Sequence, residues 1–379
     1  MSPEDAGGAP PDPVETITVE ELRTLLERVQ PVTVLDVRTA ADRAEWAIPG
    51  SLHVDAHDAL WAGDPGALAA VRLPDGVPVV TVCGRGRTSR LAAEWLTRRG
   101  IRAASLAGGM RAWSLAWNTA EVPPGDGASV LQVRRTGKGC LSYVVGSNGD
   151  AAVIDPALAP GLYVELAKRE GWTIRAVLDT HVHADHLSQA RALAAATGAA
   201  LYLPATPRAR FPFVPLREGD TVRVGDATFV TLHTPGHTHE SSCYHLDGRA
   251  LLTGDTLFLG AVGRPDLEAA PAEVRERARL LHGSLRRILT LQDDTLVLPA
   301  HTSEPVAFDR RPIAAPLAQV RASTPLLHVG AEAFVAAILG RIPPTPPNHH
   351  RIVQLNEAGD LPEEDPAELE AGANRCAVA

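Results

Sequence analysis

The chain has 379 residues, long enough for two domains, and carries 36 basic and 45 acidic side chains for a formal net charge of −9 at pH 7. An acidic balance of this size argues against a nucleic-acid surface. No run of about 18 apolar residues occurs and the Met1-Ser-Pro-Glu start has no apolar core, so neither membrane insertion nor export is expected.

Four scattered cysteines, Cys83, Cys140, Cys243 and Cys376, show no Cys-x-x-Cys spacing. A reducing, cytoplasmic setting is therefore expected rather than a disulfide-stapled fold. In chain order, the residues up to Pro13 read as a loose tail. Apolar residues at helical spacing from Thr18 to Val29 predict a helix, and Val32-Thr-Val-Leu-Asp36 predicts a strand. A second buried strand, Val77-Pro-Val-Val-Thr-Val82, runs into Cys83-Gly-Arg-Gly-Arg-Thr-Ser-Arg90, and the helical spacing of Leu91-Ala-Ala-Glu-Trp-Leu96 ends at Gly100. A cysteine in such a loop is poised as a nucleophile. The glycines allow a cradle of N–H groups, the helix contributes its positive end, and Arg85, Arg87 and Arg90 add cations that favour a thiolate or a bound anion. The plainer reading is a small buried cysteine beside a solvated arginine cluster.

The segment Glu121-Val-Pro-Pro-Gly-Asp-Gly127 combines proline, glycine and charge and is predicted as the inter-domain link. Strands near Val130, Leu141 and Val153 follow, then a helix at Gly161 to Glu170. The apolar run Ile174-Arg-Ala-Val-Leu-Asp-Thr180 delivers His181-Val-His-Ala-Asp-His186 to its carboxyl end, the edge where open α/β sheets place their ligands. Alternate residues of an extended segment share a side, so His181, His183 and Asp185 converge. Three further candidate ligands each close an apolar stretch: His237 in Thr234-Pro-Gly-His237, Asp255 in Leu252-Thr-Gly-Asp255, and His301 in Leu298-Pro-Ala-His301. A solvated histidine-rich loop does not account for that recurrence, and a metal centre is expected. Pro271 opens a helix running to Leu291, and the acidic, aperiodic residues from Ala358 read as a mobile tail.

The order His-x-His-x-Asp-His, then His, Asp and His at later strand ends, resembles the metallo-β-lactamase fold from Val130 to Asn356. Within it, Gly254-Asp-Thr-Leu-Phe-Leu-Gly-Ala-Val-Gly-Arg-Pro-Asp-Leu267 is similar to persulfide dioxygenases more than to lactamases or glyoxalase II enzymes. From Ile17 to Trp117 the chain resembles the rhodanese domain, through Leu35-Asp-Val-Arg38, the Cys83 loop and Leu106-Ala-Gly-Gly-Met-Arg-Ala-Trp113. The position six beyond Cys83 is Ser89, where Cys-x5-Arg phosphatases carry arginine. Asp36 and Arg38 are expected as a structural ion pair and Trp113 as core.

These resemblances imply an α/β protein in four parts: a three-layer α/β rhodanese domain at 14–120, a link at 121–128, an αββα metallo-β-lactamase sandwich at 129–357 and an acidic tail at 358–379. They imply one Fe(II) on His181, His237 and Asp255, with His183, Asp185, His186 and His301 as an outer shell or a second metal site. Arg264 would hold a glutathione carboxylate or steady the site through charge-assisted hydrogen bonds, the plainer reading being an ion pair with Asp266 or another local carboxylate that shapes the loop. Cys83 would carry sulfane sulfur, with Arg85 and Arg87 binding its anionic substrates. The implied activity is oxidation of glutathione persulfide by O₂ to glutathione and sulfite, joined to sulfurtransfer among thiosulfate, sulfite and thiols. The alternative is a glyoxalase II-like thioester hydrolase with two zinc ions. Partners are expected to be small molecules, with no nucleic acid or membrane, and the oligomeric state is left open, a homo-oligomer included.

Overall fold

The computed structural model describes residues 14–123, 127–346, 348–363, 365–370, 372 and 374–379, so the tail predicted before Pro13 lies outside the described residues. The chain divides after Trp113 into two compact units.

The first unit is a five-stranded parallel sheet in the order Glu15–Ile17, Ala103–Leu106, Val79–Val82, Thr33–Asp36, Leu52–His53. Val79–Val82 and Thr33–Asp36 are buried throughout, as central parallel strands require, and read in sequence as apolar runs. Leu35, Val79, Ala92 and Leu96 build the core between this sheet and the helix Arg87–Thr97. The helix Val19–Glu27 opens with a capping box in which Thr18 and Glu21 exchange hydrogen bonds. Asp36 and Arg38 form the expected ion pair, 2.7 Å apart, and Arg38 also donates to the carbonyls of Asp42 and Trp46, so the pair ties strand to loop. Trp113 is fully buried.

The second unit packs two sheets face to face. The first has seven strands in the order Val214–Leu216, Ala200–Pro204, Thr173–Leu178, Asp150–Ile154, Leu141–Ser147, Ser129–Arg134, Asn118–Val122. The second has six: Thr221–Val224, Ala227–His233, Ser242–Leu246, Ala250–Gly254, Leu296–Pro299, Ala315–Pro316. Strand alternation sorts the side chains. Tyr143 and Val145 join Phe229, Tyr244 and Leu298 between the sheets, whereas Val144 faces the helix residues Tyr163 and Leu193 outside. Leu281, Leu285 and Phe334 cover the other outer face. This is the expected αββα sandwich.

Two boundaries differ from expectation. Asn118–Val122, assigned by its sequence to the end of the first domain and the start of the link, pairs antiparallel with Ser129–Arg134 as an edge strand of the second unit. Its alternating burial identifies it as a half-buried strand, a signal overridden by the proline and glycine that follow. Residues 124–126 of the predicted link lie outside the described residues.

The acidic tail is anchored and partly buried. It contains a helix, Pro366–Glu370, and ends in Ala377–Val378, paired with Val262–Gly263. Glu370 accepts from Arg135 at 2.5 Å and from the Leu187 N–H at 2.6 Å, so a buried guanidinium and a buried N–H are satisfied by a residue the composition assigned to solvent. Among the described residues no helix is long and apolar enough to cross a membrane, and all four cysteines are free and buried.

Candidate functional sites: a buried cysteine loop and a metal centre

In the first unit the strand Val79–Val82 ends directly at Cys83. Its Sγ receives the Gly86 N–H at 3.1 Å and lies 3.3 Å from Ser89 Oγ, and Gly86 caps the following helix with φ +85°. The loop rests on a backbone shelf. Met110 N–H donates to Cys83 O and Arg111 N–H to Gly84 O. At Gly109, φ is +59° and a Cβ would stand 2.2 Å from Cys83 O, so only glycine fits there. One backbone N–H, that of Gly86, reaches the sulfur, and the helix Arg87–Thr97 begins four residues after Cys83. Arg85, Arg87 and Arg90 are exposed, and Arg90 pairs with Glu94 along the helix.

In the second unit, six sequence-predicted side chains and Cys140 converge where the strands Thr173–Leu178, Ala250–Gly254 and Leu296–Pro299 end. Asp255 Oδ2 lies 3.5 Å from His237 Nε2 and 3.8 Å from His181 Nε2, and these three residues form one donor group. Their outward nitrogens are fixed from behind. His237 Nδ1–H donates to Arg264 O at 2.7 Å, and His181 Nδ1 is 2.9 Å from Thr180 Oγ1, itself held by Asp155. Asp185, His186, His301 and Cys140 form an adjoining group, with Asp185 Oδ2 2.9 Å from His301 Nε2 and 3.5 Å from Cys140 Sγ. His183 belongs to neither. Its Nε2 is 3.3 Å from Asp155 and 3.7 Å from Asp179.

Electrostatics sort these groups by role. Burial, reinforced by His183, holds His181 well below 6.5, and burial also lowers His237, so both are neutral imidazoles with lone pairs available. Burial acts against the Asp255 anion, yet His301 and the other histidines outweigh it and keep the carboxyl below the usual range. For His183, burial is outweighed by Asp155 and Asp179, which raise it well above 6.5 and make it a cation within a carboxylate pair. Burial and Asp185 raise the Cys140 thiol, and the neighbouring imidazoles of His186 and His301 bring it down to about 7. Buried His181 Nε2, Asp255 Oδ2 and His186 Nε2 carry no hydrogen bond among the described residues. Orphaned buried donor atoms facing one another are costly unless a cation joins them, so the residues fit a metal.

The tail closes this site. Asn374 Nδ2 donates to Asp185 Oδ2 at 3.0 Å, and Cys376 shares a donor group with Asp255 and His301. Burial pushes the Cys376 thiol well above 9. Arg264 makes the plainer of its expected contacts, the ion pair with Asp266. It is fully buried, its Nε and Nη2 fork onto Asp266 at 2.8 and 2.7 Å, and its Nη1 donates to the carbonyls of Pro344 and Arg375. With those donors committed and no exposed surface, its geometry is that of a brace for the tail. Sequence reasoning missed Cys140, Asp155, Asp179, Asn374 and Cys376. Asp155 and Asp179 each follow an apolar strand and were legible by that signal. Asn374 and Cys376 sit in an aperiodic segment that offers none.

A profile of the rhodanese-like domain matches residues 18–116, and one of the metallo-beta-lactamase superfamily matches 135–212 and 202–301. The hydroxyacylglutathione hydrolase of Anaeromyxobacter dehalogenans is 34% identical over 230 residues, which cover 55% of this chain and 89% of that protein. That of Maricaulis maris is 36% identical over 158 residues, covering 41% of this chain and only 58% of that protein's length. Among solved structures, ETHE1 from Myxococcus xanthus aligns with a TM-score of 0.54 and 31% identity over 60% of this chain and 97% of that one. A metallo-beta-lactamase from Staphylococcus aureus aligns with a TM-score of 0.57 and 25% identity over 62% of this chain and 73% of that one.

Proposed function

Because the chain belongs to the metallo-β-lactamase superfamily and carries a rhodanese-like domain ahead of it, we propose that it is a persulfide dioxygenase fused to a thiosulfate sulfurtransferase. The observation that carries this reading is the separation of His183 from His181, His237 and Asp255. Two neutral imidazoles and one carboxylate make the facial triad suited to a single Fe(II), whereas a dinuclear zinc site would draw on His183 as well. Bound there, Fe(II) would supply adjacent positions for a persulfide sulfur and O₂. The net reaction is glutathione persulfide + O₂ + H₂O → glutathione + sulfite + 2 H⁺.

The chain's own residues provide the frame. The Arg264 carbonyl and Thr180 hydroxyl aim His237 and His181, and His301 and Asn374 hold Asp255 and Asp185 in place. A cavity of about 680 Å³ bordered by His301, Phe258, Ser303 and Arg311 is of the size that takes a tripeptide thiol. With Arg264 enclosed, recognition of the thiol's polar arms falls to this cavity.

In the first unit the Cys83 thiolate would attack the sulfane sulfur of thiosulfate, releasing sulfite and leaving a Cys83 persulfide. A thiol acceptor would then take that sulfur. Sulfite and persulfide are also the product and substrate of the second unit, which is why the fusion favours a sulfur substrate over an ordinary thioester.

The second reading, a two-zinc hydroxyacylglutathione hydrolase, is favoured by the names of the relatives and by the adjoining Cys140, Asp185, His186, His301 group. Metal analysis of protein from iron-supplemented cells, paired with oxygen uptake on glutathione persulfide, separates the two. One iron per chain with persulfide-dependent uptake is expected. Two zinc ions, thioester hydrolysis and no uptake would overturn the proposal.

A further inference from the structure

Ser89 stands where a related anion-binding loop would carry arginine, and nothing in the sulfurtransferase reading uses it. It is fully buried at the third position of the helix Arg87–Thr97, so a solvated serine is excluded. Its Oγ is 3.3 Å from Cys83 Sγ on one side and 2.9 Å from Ser105 Oγ on the other, and both Cys83 and Ser105 are themselves buried. Thr81 Oγ1 donates to the Ser89 carbonyl at 2.7 Å, which fixes the backbone beneath the hydroxyl. The line Cys83, Ser89, Ser105 therefore runs from the nucleophile into the sheet.

We propose that Ser89, backed by Ser105, is the positioning residue that reads the charge on the Cys83 sulfur. A hydroxyl is both donor and acceptor, and its proton rotates. When Cys83 is a neutral thiol, S–H donates to Ser89 Oγ and the Ser89 hydroxyl donates to Ser105. When the sulfur is negative, both hydroxyls turn round: Ser89 donates to sulfur and Ser105 donates to Ser89. The Gly86 N–H cannot reverse and donates in either state. The relay thus keeps Cys83, Ser89 and Ser105 hydrogen-bonded to one another in both charge states, which a single fixed donor cannot do. It steadies the attacking sulfur before transfer, holding the negative charge without the arginine that a phosphatase loop would supply. Going from thiol to thiolate releases the Cys83 proton to solvent while both hydroxyls keep theirs, and no bond beyond those of sulfurtransfer is made.

The inference rests on the sulfurtransferase reading for its purpose, but its central measurement does not. The full-length protein is treated with iodoacetamide and alkylation of the Cys83 peptide is followed by mass spectrometry as a function of pH. Separately, the lifetime of the Cys83 persulfide is measured after loading with thiosulfate. In Ser89→Ala, alkylation at pH 7 is expected to slow by about ten- to a hundred-fold, the worth of one hydrogen bond to a charged group. Its pH profile should move to the alkaline side and the persulfide should be shorter-lived. Ser105→Ala removes only the supporting hydroxyl and should slow alkylation by roughly three- to ten-fold.

Ser89→Ala within twofold of wild type on rate and profile would overturn the proposal. If Ser89→Ala does not fold, Ser105→Ala decides alone, and an unchanged alkylation rate there overturns it equally. A wild type that alkylates as described but transfers no sulfur would defeat the sulfurtransferase reading while leaving the relay supported.

Discussion

Replacing Arg264 tests the brace directly. Its guanidinium has no exposure and donates to Asp266 through two parallel bonds and to the Pro344 and Arg375 carbonyls through Nη1. In Arg264→Met the Asp266 carboxylate, 16% exposed, keeps its charge and loses its partner, and two carbonyls lose a donor. Breaking a buried pair by removing one member costs about 3–5 kcal/mol. At roughly 2–4 °C per kcal/mol for a unit of this size, the second unit's melting transition should fall by about 6–20 °C.

Because the Arg264 carbonyl also orients His237, a loosened backbone should weaken metal retention by about ten- to a hundred-fold. Arg264→Lys should behave similarly, since an ammonium cannot reproduce the fork. Removing both partners as Arg264→Met with Asp266→Leu should recover much of the loss, because the stranded carboxylate is gone. The assay is calorimetry and metal content for the double-mutant cycle, with oxygen uptake on glutathione persulfide and on a minimal alkyl persulfide. A variant that melts and retains metal like wild type, with a raised KM for glutathione persulfide alone, would refute the brace and restore the clamp.

Further outcomes follow from the same geometry. Asp255→Ala removes the only anionic member of its donor group and should abolish both metal retention and oxygen uptake, read by metal analysis and an oxygen electrode. Cys83→Ser should eliminate thiosulfate sulfurtransfer while leaving metal content unchanged, and undiminished transfer would remove Cys83 from the reaction. Gly109→Ala drives a Cβ into the Cys83 carbonyl and should cost sulfurtransfer at least as much as stability; full activity would show that the shelf yields. In metal-free protein, Asp185 and Asp255 lie below 3.8 and His183 and His301 above 6.5. The carboxylates' contribution is complete above about pH 4 and lost on acidification; the histidines' is complete below about pH 6.5 and lost as pH rises through their raised values. Neutral His181 and His237, held below 6.5, contribute stability that is lost as pH falls below 6.5, so the urea midpoint of the apoprotein should peak near pH 6.5, and a midpoint climbing steadily from pH 5 to 9 contradicts the pairing.

Most of the fold was legible because its strands are buried on both faces. Val79–Val82 and Leu141–Ser147 are buried throughout, and Thr173–Leu178 is buried in its last three residues, where the first ligands follow it. Helix positions followed from spacing, as with Pro160–Arg169 and Pro271–Ile288. What failed was composition used in place of pattern. Asn118–Val122 alternates in burial but precedes a proline-rich stretch, and the residues after Ala358 are acidic. Glu370 looks solvated in sequence and is buried because Arg135 and the Leu187 N–H, 235 and 183 positions away, face it. No local window contains that information. Arg264 shows a related limit: a motif states that an arginine is present and offers both a substrate and Asp266 as partners, and only packing states which way its donors point.

The same division of labour recurs in both sites. In each, an apolar strand delivers a reactive loop, which is what a sequence displays, and a distant glycine makes room for the backbone behind it, which a sequence hides. Gly109 admits the Cys83 carbonyl, and at Gly263 a Cβ would stand 1.9 Å from the Asp255 carbonyl. Gly263 belongs to the two-residue strand that pairs with Ala377–Val378, so the support of a metal-facing carboxylate and the anchorage of the tail are one piece of backbone. A substitution in the tail, such as Asn374→Ala, therefore bears on the metal centre through two routes: the lost hydrogen bond to Asp185 and the loosened strand beneath Asp255. A motif search confined to the histidines and aspartates would pass such a variant as intact, although two of the contacts that hold those side chains in place would be gone or weakened.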